Sequence, residues 1–212
     1  MIHFDRVPEP DGFDQKVRSR GNQWLNKHPE ATRPHDYWSE FKPHLAEGFR
    51  NLCGYGAMYE PVGTIDHYIA CGDDMSQSYE WDNYRFSAQW INSCKQSRKP
   101  GQLQVFDPFE VEDGWFEIEL PSLQLKVADR LPPELRERAD FTLDQLHLRH
   151  DERVLRQRSE WYRMYQDREI NFDGLSKKAP LIAQAVEKQL SAQSTVGDQD
   201  EAGPTNLTED VT

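Results

Sequence analysis

The stretch from Ile65 to Lys95 carries residue types that together can hydrolyse a phosphodiester. Asp66 and His67 are adjacent in an apolar stretch with strand character, and Asn92 and Lys95 lie on one face of a predicted helix. An imidazole titrates near neutrality, so it can take a proton from water. A carboxylate and an amide are oxygen ligands of the kind that Mg²⁺ or Mn²⁺ prefers. These residue types in this order indicate a one-metal phosphodiesterase site.

With Trp81-Asp82-Asn83 between the two pairs, the segment resembles the HNH (ββα-metal) endonucleases. It is most similar to the small HNH proteins that accompany an ATPase in Septu-type and some retron-associated anti-phage defence systems. Residues 106–109 and 143–148 resemble later segments of the same family. The resemblance covers about residues 1–170 and implies an endonuclease that cuts DNA.

The resemblance also implies a role for each residue of the motif. His67 is expected to be the general base, with Asn83 orienting its ring. Asp66 and Asn92 are expected to hold one Mg²⁺ or Mn²⁺ ion, and Lys95 to contact the scissile phosphate. Because adjacent strand residues point to opposite faces, Asp66 and His67 can share a site only where the strand bends or bulges.

The structural zinc that usually clamps this motif is expected to be absent. In the family, two Cys-x-x-Cys pairs hold the zinc, and only Cys53 matches one of the four positions; Gly56, Ala88 and Ile91 stand at the others. One thiolate does not hold a structural zinc. We expect Leu52, Trp90 and Ile91 to fill the volume as apolar packing.

Composition limits how the chain could bind nucleic acid. The formal net charge is −12, whereas affinity for phosphates normally comes from clustered Lys and Arg. Tight binding of DNA by the chain alone is therefore not expected, and an ATPase partner would supply the DNA-binding surface. A homo- or hetero-oligomer is compatible with this. The sequence offers no apolar run long enough for a membrane span and no signal peptide, and its three cysteines favour reduced thiols, so we expect a cytoplasmic protein.

The periodicity predicts an α+β fold, and the resemblance implies a ββα-metal core with N-terminal and C-terminal helical elaborations. A helix after Pro34 is predicted to end at the Gly54-Tyr55-Gly56 turn, and another to run from about Trp81 or Asn83 to Cys94. Strands are predicted at 104–106, 115–120 and 123–127, with helices from near Pro132, at about 150–168 and at 176–193. We divide the chain into residues 1–52, a helical region; 53–100, the HNH core; 101–193, the small β region and C-terminal helices; and 194–212, a disordered acidic tail.

Two other functions remain open from the sequence. The chain could be a catalytically degenerate HNH-fold subunit that only docks on a partner, or a toxin-like nuclease released from an inhibitor. The arginines between 149 and 168 alternate with acidic residues, which favours a solvated, salt-linked helix over a DNA-facing one.

Overall fold

The computed structural model describes residues 1–95, 99 and 101–200, with side chains described as far as residue 194. The fold is α+β, 47% helical and 9% strand, as the sequence predicts at that level. Among the described residues, no helix is both long and apolar enough to cross a bilayer.

The centre of the chain is a short hairpin followed by a helix. Strand β1 (Thr64–His67) pairs antiparallel with β2 (Tyr84–Ser87), and helix α3 (Gln89–Lys95) follows. The predicted helix from Trp81 or Asn83 is therefore wrong over its first half, because Trp81–Asn83 is a 3₁₀ turn and Tyr84–Ser87 is the strand. All four residues of β2 are buried, so no exposed polar face reveals a period of two in the sequence.

The N-terminal part wraps this hairpin with short helical pieces. A π-helical turn (Asp14–Arg18) leads into α1 (Ser19–Lys27), and a 3₁₀ turn (Ser39–Phe41) leads into α2 (Lys42–Gly48). Helix α2 ends before the predicted glycine turn, because Arg50 and Asn51 adopt left-handed φ angles of 56° and 55°. Apolar residues at helical spacing in this segment pack inward at Phe41, Leu45, Phe49 and Leu52.

The C-terminal part is a second hairpin and four helices. Strands β3 (Phe116–Glu119) and β4 (Gln124–Val127) lie within two of the predicted strands and pair antiparallel, whereas 104–106 is not a strand. The helices are α4 (Arg136–Gln145), α5 (Glu152–Gln166), α6 (Phe172–Lys178) and α7 (Pro180–Asp200). Pro180 divides the predicted third helix, because a proline fits only in a helix's first turn. The tail was predicted to be disordered from 194, but α7 continues to Asp200; residues 201–212 lie outside the described residues.

The arginine-rich helix α5 is largely salt-linked at its surface. Arg156 pairs with Glu152, and Arg163 pairs with Glu160 and Asp167. Arg158 is the exception, since it is buried and donates to backbone carbonyls instead.

One hydrophobic cluster joins all three parts of the chain. Its buried members come from the N-terminus, both hairpins and the last helix, and include Phe4, Phe49, Phe86, Phe116 and Val186. The central hairpin and α3 thus rest on both flanking regions.

Candidate active site

Four of the five residues predicted from the motif line one cleft of about 570 Å³: Asp66, His67, Asn92 and Lys95. The end of β1 supplies the first two, and α3 supplies the last two. The lining also includes Arg33, an exposed cation in the loop after α1. The fold thus brings a carboxylate, an imidazole, an amide and two cations to one concave surface.

Asp66 forms the floor of the cleft and is only 2% exposed. Both of its carboxylate oxygens lie 2.8 Å from Lys95 Nζ, and Oδ2 also accepts a 2.5 Å hydrogen bond from the Tyr55 hydroxyl. Complete burial and the neighbouring Asp66 charge raise the pKa of Tyr55 well above its usual range. Tyr55 therefore stays protonated and acts as a donor to the carboxylate.

Lys95 has an acceptor for each of its three ammonium N–H groups. Two are the Asp66 oxygens, and the third is the backbone carbonyl of His67. The predicted contact with a scissile phosphate would require one of these bonds to be given up. Gln145 from α4 fixes this end of α3 by donating to the carbonyls of Cys94 (2.9 Å) and Lys95 (3.3 Å).

His67 is held by a backbone carbonyl and two aromatic rings. Its Nε2 lies 2.9 Å from the Ser78 carbonyl oxygen, and the rings of Trp38 and Tyr84 contact it edge-on at 4.7 and 5.0 Å between centroids. A carbonyl only accepts, so Nε2 carries the proton, and in the neutral ring Nδ1 is the unprotonated nitrogen. Burial lowers the pKa of His67, which favours that neutral form.

Asn83 holds the loop beside His67 and does not bond to its ring in the described contacts. Its Oδ1 accepts from the Ile69 N–H at 2.7 Å, and its Nδ2 donates to the Ile69 and Gln77 carbonyls at 3.0 Å each. Gln77 immediately precedes Ser78, whose carbonyl orients the imidazole. Asn83 therefore does not hydrogen-bond to His67 as predicted. It holds the loop whose Ser78 carbonyl accepts from the His67 ring.

The predicted bend between Asp66 and His67 is not needed to bring them to one cleft. The β1–β2 register is unbroken from Thr64↔Ser87 to His67↔Tyr84. The two side chains diverge, as strand geometry requires. Asp66 points to Tyr55 and Lys95, while His67 points to Trp38, and the cleft reaches both at the end of the strand.

The residues of this cleft do not fit the predicted Mg²⁺ or Mn²⁺ ion at Asp66 and Asn92. The Lys95 nitrogen is equidistant from both Asp66 oxygens, where a cation bound by both oxygens would lie. A Mg²⁺ ion at about 2.1 Å from either oxygen would lie no farther than about 5 Å from this ammonium. At an effective dielectric constant of about 20, the repulsion would be about 7 kcal/mol. The ammonium therefore opposes the binding of a divalent ion at Asp66.

The four positions that the resemblance aligns with zinc ligands lie close together in the structure. They are Cys53, Gly56, Ala88 and Ile91. Cys53 Sγ accepts hydrogen bonds from the N–H groups of Gly56 (3.4 Å) and Ala88 (3.3 Å). A Cβ added at Gly56 would lie 3.7 Å from that sulfur and 3.4 Å from Ile91 Cδ1. Burial raises the pKa of the Cys53 thiol, so the protonated form is favoured. Leu52 and Ile91 are buried here, but the half-buried Trp90 lies under the Arg153 guanidinium instead.

The predicted set omits several residues that act at the site, among them Arg33, Tyr55, Ser78 and Gln145. Tyr55 stands between two glycines, and a bulky ring in a tight turn could have indicated a buried anchor. Ser78 acts through its backbone, which leaves no side-chain signal. Arg33 and Gln145 approach from distant parts of the chain, and only the tertiary fold reveals them.

A scan against protein-family models gives no match for this chain, and a search of curated proteins gives no match either.

Proposed function

We propose that this cleft hydrolyses phosphodiester bonds in nucleic acid, with DNA as the substrate. The observation that carries the proposal is the convergence of Asp66, His67, Asn92 and Lys95 on one cleft, with Arg33 in its wall. The order strand, strand, helix around these residues supports an HNH-type core. The proposed setting is a cytoplasmic anti-phage complex in which an ATPase partner contributes the DNA-binding surface that a chain of net charge −12 lacks.

The proposed reaction uses His67 as the base. Its unprotonated Nδ1 takes a proton from water while the water oxygen forms a bond to phosphorus. The bond from phosphorus to the 3′-oxygen breaks, and that oxygen leaves with the electron pair and takes a proton from solvent. Arg33 offers a guanidinium to the non-bridging phosphate oxygens, which suits planar, bidentate recognition of phosphate.

A cleavage assay on plasmid DNA tests the proposal, with the chain alone and with the complex recovered from its host. His67→Ala should lower the rate by about 10²–10⁴-fold, the usual contribution of a general base. His44→Ala is the matched control, because His44 is exposed and its Nε2 also lies near a backbone carbonyl, that of Pro8, outside the cleft. Equal cleavage by wild type and His67→Ala in the recovered complex would refute the assignment.

A second candidate function is an interaction subunit that does not cleave. The saturated Lys95–Asp66 pair favours it, because a buried, fully hydrogen-bonded ion pair can be purely structural. This candidate predicts that wild type, His67→Ala and His44→Ala all leave DNA intact, in the recovered complex as well as alone. It also predicts that His67→Ala binds the partner as tightly as wild type does.

A further inference from the structure

We propose that the Lys95 ammonium is the permanent cation at Asp66 and stands where a metal-dependent site would hold a divalent ion. Cleavage at this site then needs no divalent metal. The inference rests on the proposed function for its consequence in catalysis. Its central claim, that Lys95 and a divalent ion exclude each other at Asp66, is testable without any activity.

The ligands of the ammonium are those of a small cation site. All three are oxygens, two from the Asp66 carboxylate and one from the His67 backbone carbonyl. Hard divalent ions bind the same oxygen types. Because Lys95 lies at the end of α3, with its carbonyl held by Gln145, the ammonium is delivered by a fixed helix end.

Burial makes the ammonium a constant part of the cleft. The Lys95 and Asp66 side chains are 7% and 3% exposed. Removing either charge would leave the other buried without its partner, so the pair resists separation. The cation therefore does not depend on the concentration of ions in solution.

The ammonium also sets the charge that an approaching phosphate meets. The ionised side chains in the cleft lining, with His67 neutral, are Arg33, Asp66 and Lys95. Lys95 cancels the Asp66 charge, so Arg33 leaves the lining positive. Lys95 thus acts as a positioning residue, since it holds Asp66 and the His67 carbonyl and makes the floor neutral without itself reaching the phosphate.

Manganese binding tests the exclusion. The amount of free Mn²⁺ is followed by electron paramagnetic resonance as wild type, Asp66→Asn and Lys95→Asn are each titrated. Wild type should have no saturable Mn²⁺ site that depends on Asp66, so Asp66→Asn should not reduce the amount of Mn²⁺ bound. Lys95→Asn should bind one Mn²⁺ at least tenfold more tightly than wild type, and the further change Asp66→Asn should abolish that site.

Two further variants control this experiment. Lys95→Gln keeps a hydrogen-bond donor near Asp66 and replaces Lys95→Asn if the latter does not fold. Lys126→Asn makes the same change in an exposed pair with Glu119, so it frees a carboxylate without forming a site and should gain no Mn²⁺. Saturable Mn²⁺ binding by wild type that Asp66→Asn removes would overturn the inference. So would a folded Lys95 variant that binds Mn²⁺ no better than wild type.

A parallel activity measurement separates the inference from the proposed function. If wild type cleaves DNA, its rate should stay within twofold when EDTA is added, and a strict metal requirement would overturn the inference while leaving the nuclease proposal intact. If no form cleaves DNA, the nuclease proposal fails, and the Mn²⁺ titrations still decide whether Lys95 holds the cation position.

Discussion

The buried Lys95–Asp66 pair should show strong energetic coupling when its members are changed one at a time. Lys95→Met keeps an unbranched, apolar side chain but removes three hydrogen bonds, two of them to a carboxylate with little access to water. Removing one partner of a buried pair costs about 3–5 kcal/mol of unfolding free energy. For a chain of this length, that corresponds to a fall in Tm of roughly 6–20 °C.

The second change should restore part of this loss. In Lys95→Met, the Asp66 carboxylate keeps the Tyr55 hydroxyl as its one hydrogen-bond donor among the described residues. Adding Asp66→Asn removes the uncompensated charge while an amide oxygen still accepts from Tyr55. The double variant should therefore be more stable than Lys95→Met alone, and the coupling energy between the two changes should be about 0.5–3 kcal/mol, as is usual for contacting residues.

Urea unfolding of wild type, both single variants and the double variant measures the cycle, and the slopes check that each variant unfolds in the same way. The matched control is Lys126→Met, whose partner Glu119 is 41% exposed and whose own side chain is 45% exposed. It should cost less than about 1 kcal/mol, as exposed pairs do. If Asp66→Asn destabilises the Lys95→Met protein as much as it destabilises wild type, the two charges are not coupled and the reasoning fails.

Two more predictions concern the residues around this pair. Cysteines placed at the three non-thiol positions beside Cys53 should create a zinc site that adds about 2.7 kcal/mol of stability at a Zn²⁺ concentration of one hundred times Kd. These positions are Gly56, Ala88 and Ile91. Thermal unfolding with and without Zn²⁺ measures the gain, and adding Cys53→Ala should remove it; a triple variant indifferent to Zn²⁺ would contradict the proposed geometry. Tyr55→Phe should cost about 1.5–3 kcal/mol in urea unfolding, because Asp66 loses a buried donor, and the half-buried Tyr162→Phe on α5 should stay within about 0.5 kcal/mol. Equal losses of unfolding free energy in the two tyrosine variants would show that the hydrogen bond from Tyr55 to Asp66 contributes no more to stability than the Tyr162 hydroxyl does.

Sequence reasoning located the cleft residues but not their bonding. The resemblance to the HNH motif placed Asp66, His67, Asn92 and Lys95 in one site, and the structure brings these four to one cleft. It could not show that Lys95 bonds to Asp66 rather than facing the cleft as a free cation. That outcome depends on where α3 ends relative to β1, which tertiary contacts such as the Gln145 bonds fix.

The errors in secondary structure have local physical causes. Strand β2 was read as helix because Tyr84 and Phe86 pack in the core while Arg85 is buried against Asp107, so both faces of the strand are covered. Helix α2 stops early at two left-handed residues, Arg50 and Asn51; Asn is a residue type that ends helices, but a single Asn is a weaker stop signal than the following glycines. The hairpin of β3 and β4 was predicted well, because its apolar and polar residues alternate with one face open to solvent.

The bonds from Gln145 bear on how far the central unit can be treated as a portable module. They join α4 to the last turn of α3 across separations of 51 and 50 residues in the chain. A fragment cut at residues 53–100 would lose this attachment, and the carbonyl of the residue that carries the cation would be left open to water. Transplanting the hairpin and α3 alone into another scaffold would carry over the reactive side chains without the support that holds them in register. The unit that holds the end of α3 in place therefore extends at least through α4.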